Sequence, residues 1–435
     1  MLQMKHPMHD GGNDTSQSEP VAGAASSRIQ PGGPEYRNAG YALFLLGFAS
    51  FSLIYCVQPL LPDFARTFSI NPAQSSLALS LTTGLLAFSI VLSGAFSQAL
   101  GRRGLMFVSM VAGALFNIAA GLIPDWSGLL AARALEGLVL GGVPAVAMAW
   151  LAEEIEPAHL GRATGLYIGG TAFGAMMGRV GMGLIAGYAS WHIAMIALGV
   201  LCLAAATGFL CLLPPSRHFV RRPGFDLRFH CSAWGAHLRN KQLLRVYAIG
   251  FMLTSVFSAL FNYATFRLSA PPYGLNASQV SLIFLAFALG IVSSSLAGML
   301  ADQFGRRPLL VAGFITMLAG VLLTLSSSIP VICAGIALVA IGYFIGHSVA
   351  SGAVGLIAEF NKGHAASMYL LFYYLGASLI GTAAGWFWQH GGWPAVVALT
   401  GAFAAAGAVL SFVQEKRAEG TDGLATTRLE KDVRA

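Results

Sequence analysis

Apolar residues run along this chain in long blocks, not in alternation or in narrow helical stripes. Pro308 to Ala358 is 51 residues without Asp, Glu, Lys or Arg, broken at Ser326-Ser327-Ser328-Ile329-Pro330. Ala365 to Gln414 is a further 50, broken at Gln389-His390-Gly391-Gly392. A membrane-crossing helix needs about 20 mostly apolar residues, so each block holds more than one crossing. The breaks predict twelve helices, over 40–61, 74–96, 104–123, 127–151, 162–186, 192–213, 246–268, 279–300, 308–327, 331–357, 364–388 and 393–414. Transmembrane β-barrels are excluded, because their strands are alternating segments of about ten residues. The expected fold is therefore an all-α integral membrane protein. Residues 1–39, polar and rich in Gly, Ser and Pro, predict a disordered tail, and the first apolar stretch an uncleaved anchor.

Composition agrees. Only 10% of the 435 residues are charged, where a soluble domain carries about 25%, and 56% are hydrophobic. Such a chain cannot cover itself with polar surface, so its main partner is the lipid bilayer. Disorder, a collagen-like repeat and an ordinary cytosolic enzyme are excluded.

The net charge of +7 changes meaning once it is placed along the chain. Taking the tail, the even-numbered loops and the C-terminus as one side, that side holds 21 of the 25 Lys and Arg. The other side has Arg66 alone, and Arg133, Arg179 and Arg267 lie inside predicted spans. Basic residues collect on the cytoplasmic side, which predicts a multi-pass protein of the bacterial inner membrane with both termini in the cytoplasm. Spread over seven segments, these residues form no groove-sized patch, so nucleic acid is not an expected partner. Trp126, Trp191, Trp386, Trp388 and Trp393 fall near the opposite helix ends, where indoles favour the headgroup zone. Five scattered cysteines imply neither a disulfide framework nor a metal site.

The chain also repeats itself. Gly94-Ala-Phe-Ser-Gln98-Ala-Leu-Gly101-Arg102-Arg103 joins spans two and three, and Gly298-Met-Leu-Ala-Asp302-Gln-Phe-Gly305-Arg306-Arg307 joins spans eight and nine, 204 residues later. Trp191 and Trp393 give a weaker mark, 202 apart. The expected organisation is a tail at 1–39, a six-helix bundle at 40–213, a basic cytoplasmic linker at 214–245, a second six-helix bundle at 246–414 and a C-terminal tail at 415–435. Duplicated bundles of this kind build a central site that opens to either side in many secondary transporters.

The two loops resemble the signature of the major facilitator superfamily. Tyr55-Cys-Val-Gln58-Pro59-Leu-Leu-Pro62 and Arg133-Ala-Leu-Glu136-Gly137-Leu-Val-Leu-Gly141-Gly142 are similar to motifs of its bacterial drug:proton antiporter branch. Phe261-Asn262-Tyr263 through Arg267-Leu-Ser-Ala-Pro271-Pro272 resembles transport proteins labelled arabinose or drug efflux permeases. The resemblance covers residues 40–414 and implies two pseudo-symmetric six-helix bundles, the major facilitator fold. It also implies gating by the loop residues Gly94, Gln98, Gly101 and Arg102 and by Gly298, Asp302, Gly305 and Arg306. Two positions depart from the pattern: Gln98 stands where the family has an acid, and Ala175 where the antiporter signature has proline.

Charges within the hydrocarbon usually face a cavity or a partner. Glu136 is the only acid well inside a predicted span, and Arg133, three residues earlier, shares its helix face. Proton coupling needs a group whose pKa moves as its surroundings alternate between dry and wet. Glu136 as proton carrier tuned by Arg133 is one reading, and a static pair locking span four is the other. Arg179 is a counter-ion for an anionic substrate group or for Glu136, or else bonds helix carbonyls. Arg267, at a span end, is expected to snorkel toward headgroups. Gln58, Asn262, Tyr263 and His347 are candidate cavity residues, with interhelical hydrogen bonding as the alternative. Asp302 suits a helix N-terminus. No phosphate loop and no His-Glu-x-x-His pair occurs.

These readings together predict a secondary transporter, not an enzyme. It moves a small organic molecule by alternating access, coupled to protons, with no cofactor, as a monomer and in the export direction. Uptake or facilitated diffusion is the alternative within the class, and a transporter-like receptor or scaffold the alternative outside it.

Overall fold

The computed structural model describes residues 28–218 and 227–412, with the side chains of 94–100 and 227 excepted. Of the expected tails at 1–39 and 415–435, residues 1–27 and 415–435 lie outside the described residues. Helices dominate. The N-terminal half comprises α1 (Pro34–Tyr55), α2 (Leu61–Thr67), α3 (Pro72–Leu100), α4 (Arg102–Leu122), α5 (Trp126–Leu140), α6 (Gly142–Glu154), α7 (Leu160–Tyr188) and α8 (Trp191–Leu212). A linker helix, α9 (Leu227–Arg239), follows. The C-terminal half comprises α10 (Lys241–Ser269), α11 (Ala277–Ser281), α12 (Ala286–Phe304), α13 (Arg306–Leu323), α14 (Ile329–Ile357), α15 (Lys362–Leu375) and α16 (Gly381–Phe412).

Among the described residues, ten segments are long and apolar enough to cross a membrane. The last of them, Lys362–Phe412, folds back at Gly392 and holds two crossings. The glycine-rich α7, 29 residues long, packs along α1 and supplies the twelfth. The protein is thus an all-α membrane protein of two six-helix halves. The side of the molecule that carries the start of α1 and the paired arginines is its terminal face, and the opposite side is its distal face.

The repeat is visible in the backbone. Gly101 (φ +84°) and Gly305 (φ +82°) each end one helix and start the next in a conformation that L side chains rarely adopt. A second repeated device sits at the distal face. Asn71 and Asn276 each cap a helix in a reciprocal box with a glutamine three residues on, Gln74 and Gln279.

Several boundaries differ from expectation. Helix α1 starts at Pro34, six residues before the predicted span, because proline suits a first helical turn. Ahead of it the Ile29 amide donates to the Glu154 carbonyl at 2.8 Å, fastening this segment to the end of α6. At its other end α1 stops at Tyr55, and a short 3-10 turn over Gln58–Leu60 leads into α2. The first crossing, Pro34–Thr67, is therefore interrupted by a 3-10 turn between α1 and α2.

The two halves meet toward the distal face. Ser378 donates to the Ser80 carbonyl (2.7 Å) and Thr382 to the Ser80 hydroxyl (2.7 Å). Helix α7 lies against α11 so closely that a Cβ on Gly183 would fall against the Ser281 side chain and 2.8 Å from the Ala277 carbonyl oxygen. Gly183→Val is accordingly expected to wedge this contact open. In a background stripped of native cysteines, a cysteine placed at Ser278 should then react several-fold faster with a thiol reagent added from the distal side. An unchanged rate would show that α7 and α11 do not form a gate.

Candidate functional site

The broken end of α1 organises the centre of the molecule. A helix leaves its last four carbonyls without intrahelical donors, and here those carbonyls lie inside the protein. Arg133 of α5 supplies the donors. Its Nη1 donates to the Leu53 carbonyl (3.1 Å), its Nη2 to the Ile54 carbonyl (2.9 Å) and its Nε to the Ala78 carbonyl of α3 (3.2 Å). Nη1 also bonds Oε2 of Glu136, one turn along α5. Both side chains are fully buried. The other carboxylate oxygen, Oε1, has no hydrogen-bond partner among the described residues.

On the other side of the break stands Arg179 of α7, 2% exposed. Its Nε donates to the Gln58 side-chain oxygen (2.5 Å), and Nη1 bonds the Ala175 carbonyl. The guanidinium carbon lies 4.1 Å from the Tyr55 ring centre, 4.9 Å from that of Phe287 and 5.4 Å from that of Phe284. Among the described residues no carboxylate pairs with it. Glu136 and Arg179 each lie about 14–15 Å along their helices from the distal end, so they share one depth while bonding different groups.

Gln58 carries this network into the other half. Its side-chain nitrogen donates to the Asn262 side-chain oxygen of α10 at 2.6 Å, across 204 residues of sequence. That offset is the one relating the two glycine-arginine loops. Gln58 and Asn262 are thus equivalent positions of the two repeats, in direct contact, so the pseudo-twofold axis passes between them. The charges do not follow the symmetry. The positions 204 residues after Arg133, Glu136 and Arg179 are Ala337, Ala340 and Ala383.

A model of the Major Facilitator Superfamily matches residues 43–271 and again 269–431. The chain belongs to this superfamily. It is 43% identical over 371 residues to the MFS-type transporter YybF of Bacillus subtilis (strain 168), covering 85% of this chain and 92% of that one. It is 38% identical over 372 residues to the inner membrane transport protein YnfM of Escherichia coli (strain K12), covering 85% and 88%. Among solved structures, a bacterial homologue of the human lysosomal transporter Spinster, inward-facing and unoccupied, superposes with a TM-score of 0.72 at 15% identity. That superposition covers 87% of this chain and 96% of the other and concerns the fold alone. The molecule is a membrane transporter of the major facilitator type.

Other residues singled out from the sequence fall into different places in the transporter. Tyr263 is buried at the distal contact, its hydroxyl 3.5 Å from the Thr382 carbonyl. His347 bonds the Tyr369 hydroxyl at 3.0 Å through Nδ1, not the neighbouring serines, and lies in a ring cluster with Tyr343 and Tyr373. Arg267 does not snorkel. It bonds the Thr324 and Ser326 carbonyls at the end of α13 and lies 5.0 Å from the Trp393 ring centre. Trp191 and Trp393 are likewise buried, each bonding a threonine, Thr67 and Thr324.

The loop residues split. Arg102 bonds Glu153 of α6 (2.7 Å), tying the loop to span four. Asp302 is largely exposed, 3.9 Å from Arg306, and the N-terminus of α13 carries no side-chain cap. Gly298 lies inside α12 with open space around it. Gly94 and Gln98 belong to the last turns of α3, whose side chains lie outside the described residues. A groove of about 720 Å³ lies at the terminal end of α1 against α7, beside Arg37 and Arg162, remote from the central network.

Sequence reasoning missed the contact between Gln58 and Asn262, although the 204-residue offset was present in the loops. It also missed the second role of Arg133, although Pro59, which has no N–H for the Tyr55 carbonyl, marks the place where α1 stops.

Proposed function

We propose that this transporter exports a small organic molecule across the bacterial inner membrane in exchange for protons, as a monomer, with both termini in the cytoplasm. The observation that carries the proton step is the carboxylate of Glu136. One oxygen is held by Arg133, and the other is buried with no partner. Burial disfavours the charged form of a carboxyl, and a proton taken up at that free oxygen removes the buried negative charge. Arg133 holds the end of α1 on one side, and Arg179 holds Tyr55 and Gln58 on the other. Loading or unloading Glu136 therefore acts on the same broken segment that touches Asn262 across the axis.

With the basic loops in the cytoplasm, the distal closure corresponds to an inward-facing state, in which α7 and α11, and α3 and α15–α16, close the outer side. Rocking about the Gln58–Asn262 contact would open that side. The similarity of the Gln58 and Glu136 segments to drug:proton antiporter motifs supports the export direction. Ala175, where that signature has proline, favours uptake as the second reading.

The test is a proton readout that works before any substrate has been identified. Everted membrane vesicles, acidified inside by respiration, are screened with anionic, neutral and cationic aromatic compounds while the fluorescence of a pH-sensitive acridine is followed. Proton exchange predicts that some compounds dissipate the gradient only in vesicles carrying the transporter. Accumulation in right-side-out vesicles alone, with no such response in everted ones, would establish uptake.

A further inference from the structure

The central site holds a positive charge that the protein itself does not neutralise. A buried charge is costly unless it is paired and hydrogen-bonded. Arg133 meets that condition and Arg179 does not. An arginine has five N–H donors, and among the described residues only two of those on Arg179 are bonded, to Gln58 and to the Ala175 carbonyl. Its remaining stabilisation comes from the faces of Tyr55, Phe284 and Phe287. A second free donor stands close by. The Asn262 side-chain nitrogen is buried without a partner, and Asn262 and Arg179 are bonded to opposite ends of the one Gln58 amide. A planar guanidinium with an open side matches the two oxygens of a carboxylate, and the adjoining amide donor adds to the same preference.

The buried rings packed beside Arg179 suggest the rest of the ligand. Phe257, Phe261, Phe284 and Phe287 form a continuous ring cluster with centre separations of 4.7 to 5.8 Å, joined by Tyr343 at 3.9 Å from Phe257. All of these belong to the C-terminal half, whereas Arg179 belongs to the N-terminal half. A molecule with a carboxylate at one end and a flat apolar body would therefore bridge the halves.

We propose that the central site takes small aromatic carboxylates, with Arg179 and Asn262 as donors to the carboxylate and the C-terminal-half ring cluster around Phe257, Phe261 and Tyr343 beside the aromatic body. This deepens the transport reading and rests on its central site, but not on its coupling or direction. The experiment is ligand-induced thermal stabilisation of the purified full-length protein in detergent. The probes are 2-naphthoate, its neutral amide 2-naphthamide, and the cation 2-naphthylmethylammonium. Naphthoate should stabilise the protein saturably, at least about tenfold more tightly than either analogue. Arg179→Gln should weaken naphthoate about tenfold or more, and Arg179→Lys less, because a charge without the fork remains.

Asn262→Asp guards against a merely folding-defective Arg179→Gln. It places a negative charge beside the guanidinium and should invert the preference, rejecting naphthoate and admitting the ammonium probe, which a purely structural asparagine would not do. Equal binding of the three probes, no stabilisation by naphthoate, or an unchanged preference in Asn262→Asp would overturn the assignment. Binding in detergent requires no gradient. Naphthoate binding without gradient dissipation would therefore remove the antiport reading alone, and dissipation by cationic compounds alone would remove the carboxylate assignment alone.

Discussion

Glu136→Gln is expected to reduce proton-driven transport to the level of empty vesicles while leaving substrate exchange nearly intact. Glutamine keeps the size of the side chain and an oxygen to accept from Arg133, but it cannot take up and release a proton. A carrier locked in that condition still rocks when substrate occupies both sides. Counterflow of labelled against unlabelled substrate should stay within about threefold of wild type, since a near-isosteric change away from a packing defect is mild. Gradient-driven accumulation should vanish. Measuring both in the same proteoliposomes separates this result from simple misfolding, which removes counterflow as well. Full accumulation by the variant would sink the assignment of Glu136 as proton carrier. Loss of counterflow with a normally folded protein would move Glu136 into the rocking machinery itself.

The sequence exposes the parts of this molecule that lipid and topology dictate. Twelve crossings follow from uncharged runs that water could not accommodate, and the duplication follows from loops in which glycine must take a positive φ, as Gly101 and Gly305 do. Less legible is how polar atoms inside the bilayer are satisfied, because that depends on which helix ends lie beside which side chains. Arg267 looks like a headgroup anchor by its position at a span end, but its donors serve the Thr324 and Ser326 carbonyls in the turn that follows α13. Asp302 looks like a helix cap by type and spacing, yet its side chain is largely exposed. His347 has serine neighbours in sequence and a tyrosine partner in space. Two signals were available and go unused by hydropathy reading. The Asn-x-x-Gln boxes at 71 and 276 mark the starts of spans two and eight. The 204-residue offset, once taken from the loops, pairs Gln58 with Asn262 and so locates the axis.

Arg133→Met is expected to damage the fold more than any change at Glu136, and the reason decides what Arg133 is for. If the arginine and the glutamate were only a lock of opposite charges, removing both charges would restore stability, since buried ion pairs are often replaced by apolar groups at no net loss. The geometry assigns most of the cost elsewhere. The Leu53 and Ile54 carbonyls at the end of α1 receive donors from this one guanidinium, and no apolar side chain supplies them, whereas the Ala78 carbonyl inside α3 keeps the Thr82 hydroxyl. Leaving these two α1 carbonyls without the guanidinium costs about 1–3 kcal/mol each, so the loss of Arg133 should lower stability by about 2–6 kcal/mol. The doubly neutral variant, Arg133→Met with Glu136→Gln, should recover the part of the loss that comes from the unpaired Glu136 carboxylate but stay below wild type, because the α1 carbonyls still lack the guanidinium. Thermal unfolding of the purified variants followed by size-exclusion recovery measures both quantities. Recovery of wild-type stability in the double variant would make the pair an ion lock. Failure to recover would identify Arg133 as the clamp that holds the first crossing at its interruption after Tyr55. In that case the broken segment from Tyr55 to Gln58 exists because α5 holds it open, and both candidate functions of the site depend on that one side chain.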